Sequence, residues 1–188
     1  MDPRFEQALA QTGPLPLRLK PDGFGGLLEI IISQQVSVAS ADAIRARMVA
    51  AGLTTKAAVL DAGQEGLRNA GLSRPKVRYA LLLAAADLDY AGLHALEDAQ
   101  VITRLTALTG IGPWTAQIYA MFCMGRADIF PAGDLALQVA AQRLFDLPAR
   151  PASEEMARMA EAWTPWRSVA ARALFAYYRI LRNREGLG

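Results

Sequence analysis

Two features of this chain present groups that could do chemistry. The first is the stretch 108–116, where Gly110 and Gly112 precede Pro113, Trp114 and Thr115. Both glycines can take backbone angles closed to other residues, and Pro113 suits the first helical position, where an N–H would have no intrahelical partner. A helix opening there turns its first N–H groups and the positive end of its dipole outward, which makes a socket for an anion. On a nucleic acid the anion would be a backbone phosphate, and the turn carries no side chain that reads a base. An ordinary αα-hairpin would use the same glycines for the turn alone. The second feature is Asp134. It follows the chain breakers Pro131 and Gly133 and opens an apolar helical pattern through Leu135, Val139 and Leu144. As an N-cap its carboxylate would be held rigidly, with the helix dipole favouring negative charge; Asp is also simply a common N-cap residue.

These groups need elements to position them. Val101, Ile102, Leu105 and Leu108 before the turn, and Ile118, Tyr119 and Phe122 after it, fall at helical spacing, so the motif is helix, hairpin, helix. The same periodicity predicts helices over 4–10, 24–34, 38–50, 55–60, 65–70, 75–88, 97–108, 113–124, 135–145, 153–162 and 166–182. Gly71, Ser73 and Pro75 form a stop followed by a capped start, and Ser153 is an N-cap candidate without the full capping box. Pro14, Pro16 and Pro21 mark a connector after the first helix. The chain is rich in Ala and Leu and has no β-type alternation, which predicts an all-α protein.

Composition narrows the function classes. The 188 residues suffice for one compact unit or two small lobes, and the formal charge of +2 does not announce a nucleic-acid binder. Basic residues gather at the end of the chain: Arg167, Arg172, Arg179, Arg182 and Arg184. One cysteine, Cys123, lies in an apolar helical stretch and is expected to be buried; a lone thiol builds neither a disulfide nor a cysteine metal site, which fits a reducing cytoplasm. One histidine, His94, leaves no histidine zinc site and is expected at the surface. No signal peptide or membrane-spanning apolar run is present in these residues.

Four motifs in order then point to a family: residues 31–37 with Gln34 and Gln35, the hairpin 108–116 with Trp114, the loop 128–137 with Asp134, and residues 163–170 with Trp163, Trp166 and Arg167. Together they resemble the helix-hairpin-helix, Gly/Pro…Asp superfamily of DNA glycosylases, and more closely its DNA-3-methyladenine glycosylase II branch. The similarity runs over residues 24–178. It implies a two-lobed helical fold with a cleft between the lobes. Residues 23–128 would form one lobe ending in the hairpin, and 1–22 with 129–188 the other, in a compact version without the N-terminal β-rich lobe of longer relatives.

The resemblance also implies roles. The backbone around Gly110, Gly112 and Thr115 would anchor a DNA strand, and carbonyls of Thr106, Leu108 and Ile111 would hold a sodium or potassium ion that bridges to the phosphate. Gln34 and Gln35 would contact DNA, with Gln35 as the wedge that fills the space left by a turned-out nucleotide. Trp114 and Phe175 would line the base pocket, where an electron-rich ring attracts a cationic N-alkylated purine. Asp134 would stabilise positive charge developing on the sugar and orient water. Trp163 and Trp166 are expected to pack, and Asp128 to be solvated. Trp114 stands where lyase-competent relatives carry a Schiff-base lysine, so base release without strand cleavage is expected. No required cofactor, no iron–sulfur cluster, damaged double-stranded DNA as partner, and a cytoplasmic monomer complete the expectation. A non-catalytic helix-hairpin-helix DNA-binding module and an all-helical interaction protein remain as alternatives.

Overall fold

A computed structural model describes residues 2–15, 17 and 19–185; Pro16 of the connector lies outside them. The described residues hold ten α-helices, one 3-10 turn and no strand. The helices are α1 (Arg4–Thr12), α2 (Phe24–Ser33), α3 (Val38–Ala50), α4 (Lys56–Asn69), α5 (Arg74–Ala85), α6 (Asp98–Thr106), α7 (Pro113–Phe122), α8 (Leu135–Leu144), α9 (Ser153–Glu161) and α10 (Arg167–Glu185). The 3-10 turn, Gly92–Ala95, is an element that periodicity did not show, being too short to display one. The contacts divide the chain into two compact units, Leu19–Met124 and Met1–Arg18 with Gly125–Gly188.

In the unit Leu19–Met124, α2 packs against α3, α5 and α7. Leu27, Leu28, Ile30, Ile31 and Ile32 are all buried, as expected of a helix that is apolar almost all round. Each such side chain contributes about 1.5–3 kcal/mol when fully removed from water. Gly26 allows the close approach on which this depends. A Cβ there would run into the Pro21 carbonyl and lie 3.0 Å from the Cys123 sulfur. The two short helices expected over 55–60 and 65–70 are the halves of α4, which kinks at Gly63. Ser73 precedes α5 in extended backbone, but its side chain makes no capping bond.

In the other unit, α10 packs on α8 and α1, and α1 also touches α8. Trp163 is the hub of an aromatic cluster, with Phe5 and Phe130 at 5.3 Å and Phe145 at 5.9 Å between centroids. The pairs with Phe5 and Phe130 are edge-on, an arrangement that contributes beyond its buried area. Trp166 departs from expectation: it is 57% exposed, because it lies where the chain leaves the core just before α10 begins. Ser153 is the first residue of α9 and not its cap; Ala152 occupies that position without a side-chain bond.

Candidate nucleic-acid interface

The hairpin is built by short-range bonds. α6 opens with a capping box between Glu97 and Gln100, and Val101 and Leu105 bury its inner face. After Thr106 the chain turns, with the Leu108 N–H donating to the Leu105 carbonyl and the Ile111 N–H to the Leu108 carbonyl, both at 3.1 Å. Ile111 is buried and pins the turn to the core. Gly110 has φ +92°, and a Cβ on it would collide with the Tyr79 ring of α5, so glycine is required there on two counts.

Gly112 differs from the expectation that it shares this need. Its φ of −86° and ψ of 174° are open to any residue, and a Cβ would meet nothing within 4 Å. The turn therefore leaves this glycine unexplained from within the fold, whereas a ligand backbone approaching closely would explain it. Pro113 begins α7, and the Ala116 N–H makes a helical bond to the Gly112 carbonyl at 3.0 Å. By helix geometry the Thr115 N–H, which precedes that bond, has no acceptor within α7.

Around the hairpin lies an open cavity of about 980 Å³, lined by Gly110, Gly112, Trp114 and Thr115 together with Thr106, Leu108 and Ile111. Gln34 and Gln35 line it too, so the structure gathers nine of the eleven expected site residues around one space. Gln34 caps the C-terminus of α2. Its side-chain amide donates to the Thr115 hydroxyl at 2.8 Å and to the Gly110 carbonyl at 3.2 Å, tying α2 to both sides of the turn. Gln35 is exposed and holds φ +53°, a left-handed conformation that costs a non-glycine residue roughly 1–2 kcal/mol. Strain of this sort persists at functional sites when neighbours over-determine it.

Asp134 and Phe175 belong to the other unit. Asp134 is the N-cap of α8: its Oδ1 accepts from the Ala136 N–H at 2.8 Å and the Leu137 N–H at 3.3 Å. Its own N–H donates to the Pro131 carbonyl, and Gln138 donates to the Ala132 carbonyl, so the loop before the cap is stitched at both ends. Leu135, next along, is 55% exposed. Phe175 is half-buried on α10 between the buried Leu174 and Ala176.

The motif around Trp163 holds the Asp134 loop. Ser168 Oγ accepts from the Ile129 N–H and donates to the Ile129 carbonyl, both at 3.0 Å. Phe130 lies against Trp163. Asp128 is not the solvated group expected. Arg167 grips it with Nε on Oδ1 at 2.8 Å and NH2 on Oδ2 at 2.9 Å, and the Arg167 N–H adds a third bond. The guanidinium holds the Asp128 carboxyl below the usual carboxylate range.

Three residues at or near the hairpin were not singled out in the sequence. Tyr79 supports Gly110. Lys76 is buried and its Nζ donates to the Ile32 carbonyl at 2.6 Å. Asp22 accepts hydrogen bonds from the Tyr119 hydroxyl and the Gly23 N–H and pairs with His94 at 2.5 Å. Burial opposes charge on Asp22, yet these partners hold its carboxyl below the usual range, while burial and Asp22 together push the Tyr119 hydroxyl up. In the sequence Lys76 and Asp22 were marked only by standing next to proline or glycine, a signal shared with most turns, and Tyr79 by nothing local.

Comparison with known proteins decides the family. The sequence profile of the HhH-GPD superfamily of base excision DNA repair proteins matches residues 28–166. The chain belongs to that superfamily. Within it, the chain is 30% identical to YfjP of Bacillus subtilis (strain 168) over 83% of its own length, and spans 59% of YfjP. A crystal structure of a DNA-3-methyladenine glycosidase from Bacillus halodurans is 32% identical and superposes with a TM-score of 0.81, covering 94% of this chain and 85% of that one. The 3-methyladenine DNA glycosylase Mag1 of Schizosaccharomyces pombe, solved in complex with abasic DNA, is 27% identical with a TM-score of 0.82, covering 93% and 91%. The all-helical HhH-GPD glycosylase fold expected from the four motifs is the fold observed.

Proposed function

We propose that this HhH-GPD protein is a base-excision repair glycosylase that hydrolyses the N-glycosidic bond of alkylated purines in double-stranded DNA. The observation that carries the reading is Asp134, a carboxylate fixed as a helix N-cap by two backbone amides, in a chain that also has the superfamily's hairpin. A DNA-binding module needs the hairpin but has no use for that carboxylate. The names of the Bacillus halodurans and Mag1 relatives point to 3-methyladenine as the type of base.

In the proposed reaction the hairpin grips a backbone phosphate, Gln35 fills the gap left by the extruded nucleotide, and the base stacks against Trp114 and Phe175. The bond between C1′ of the sugar and the purine nitrogen breaks with its electron pair going to the base, which discharges the alkylated ring. Asp134 stabilises the positive charge that builds on the sugar, water adds at C1′, and its proton is lost to solvent or to the carboxylate. A cationic base leaves readily, so no general acid is required. Trp114 has no amine to form a Schiff base, and the product is an intact strand with an abasic site. Thr106, Leu108 and Ile111 line the hairpin cavity, and a donor set of neutral carbonyls suits a monovalent hard cation, which would add positive charge beside the phosphate. No helix among the described residues is long and apolar enough to cross a membrane. A monomer acting on DNA in the cytoplasm is part of the proposal.

The test is Asp134→Asn. Asn caps helices as well as Asp, so folding is kept while the charge is removed. Single-turnover release of 3-methyladenine from methylated duplex DNA should fall by at least about 10²-fold, the scale of losing a preorganised electrostatic contact, with DNA affinity nearly unchanged. Release at the wild-type rate would falsify the assignment, and a wild-type protein that binds DNA but releases no base would make it a binding module.

A further inference from the structure

Lys76 stands out as a charge without a counter-charge. Only 7% of it is exposed, and its one hydrogen bond goes to a neutral group, the Ile32 carbonyl. Among the described residues no carboxylate lies within ion-pair distance of its ammonium, which has two further N–H donors. A buried cation in that state is costly unless something anionic comes to it. The cost shows in its acidity, which burial alone shifts, holding the ammonium below the usual lysine range. Lys76 lines the same open cavity as Gly110, Gly112, Trp114 and Thr115. Gly112 adds an independent sign of an incoming group, since nothing inside the protein occupies the space its missing side chain leaves.

We propose that Lys76 is the cationic part of the hairpin's phosphate site, and that a DNA backbone phosphate in the cavity is the anion this lysine lacks. The inference rests on the DNA-binding reading above but assigns a charged side chain to a contact otherwise made by backbone amides. The Ile32 bond fits this role. It holds the ammonium at the end of α2, next to Gln34 and Gln35, so the charge is in place before DNA arrives.

Salt dependence tests it. Each phosphate neutralised by a basic side chain contributes about 0.9 to the slope of log K against log salt on duplex DNA. Lys76→Gln removes the charge and keeps a donor for the Ile32 carbonyl; its slope should be shallower than wild type by about one unit, with affinity down roughly tenfold near 0.1 M salt. Lys76→Arg should keep the slope. Lys56→Gln is the control: Lys56 likewise donates to a backbone carbonyl near a helix end, that of Ala86, yet does not line the cavity, so its slope should match wild type. An unchanged slope in Lys76→Gln, or an equal loss in Lys56→Gln, overturns the proposal. If the wild type itself binds no DNA, it is the functional reading that fails. Should Lys76→Gln not fold, the wild-type chain decides, because it has only three lysines, Lys20, Lys56 and Lys76. On ¹³C-lysine labelling, DNA binding should raise the titration midpoint of the Lys76 Cε signal, and a midpoint that stays put overturns the proposal.

Discussion

The side-chain amide of Gln34 donates to the hydroxyl of Thr115 across eighty-one residues of sequence, at 2.8 Å. The same nitrogen reaches the Gly110 carbonyl, so one glutamine joins the end of α2 to the hairpin and to the first turn of α7. Gln34 thus positions the turn as well as lining its cavity. Gln34→Ala should leave the Thr115 hydroxyl, on a residue that is itself buried, without this donor and cost about 1–2 kcal/mol. Chemical denaturation should show the loss. DNA affinity should fall by more than in Gln35→Ala, whose side chain makes no comparable bond to the hairpin; equal effects would argue against the positioning role.

Gly110→Ala should be among the most damaging single changes in this region. It places a Cβ at φ +92° and drives it into the Tyr79 ring. Strain in sparsely populated backbone regions costs about 1–3 kcal/mol, and the collision adds to it. Calorimetry should record a drop in Tm of at least about 4–8 °C, the shift that roughly 2 kcal/mol gives at this chain length. Adding Tyr79→Ala should recover the steric part only.

Gly112→Ala should behave in the opposite way. Its backbone angles suit alanine and a methyl group would face open space. Alanine caps a helix less well than glycine, so Tm should fall only slightly. DNA binding, measured by fluorescence anisotropy, should weaken at least several-fold because the methyl group would occupy the space proposed for the phosphate. Wild-type affinity would mean that this glycine has no external reason either.

Asp128→Asn should reveal an acid-dependent contribution. Arg167 lowers the Asp128 pKa in the folded protein relative to the unfolded chain. The stabilisation is therefore complete above the unfolded carboxylate range, near pH 4, and is lost as pH falls through the lower folded value. Both partners are partly exposed, so the contribution at pH 7 is about 1 kcal/mol at most. Melting curves of wild type and variant should be separated at neutral pH and converge as the pH approaches 2. A gap that stays constant would show that geometry and not charge is responsible.

Much of this protein was legible from the chain alone. Periodicity located the helices, Pro113 marked the start of α7, and Asp134 announced itself as the cap of α8, because helix repeats, caps and turns are decided by residues within a turn or two of one another. The order of four such local patterns sufficed to name the family. What folding decided were the facts that depend on distant neighbours. Trp163 is buried and Trp166, three residues on, is exposed, because only the first meets Phe5, Phe130 and Phe145. Gly110 and Gly112 look equivalent in the sequence, but Tyr79 comes across from α5 to only one of them. Asp128 finds Arg167, and Lys76 finds a carbonyl and no carboxylate. Side-chain charge and size are written in the chain, but whether a charge is paired or a surface covered depends on which remote segment packs against it.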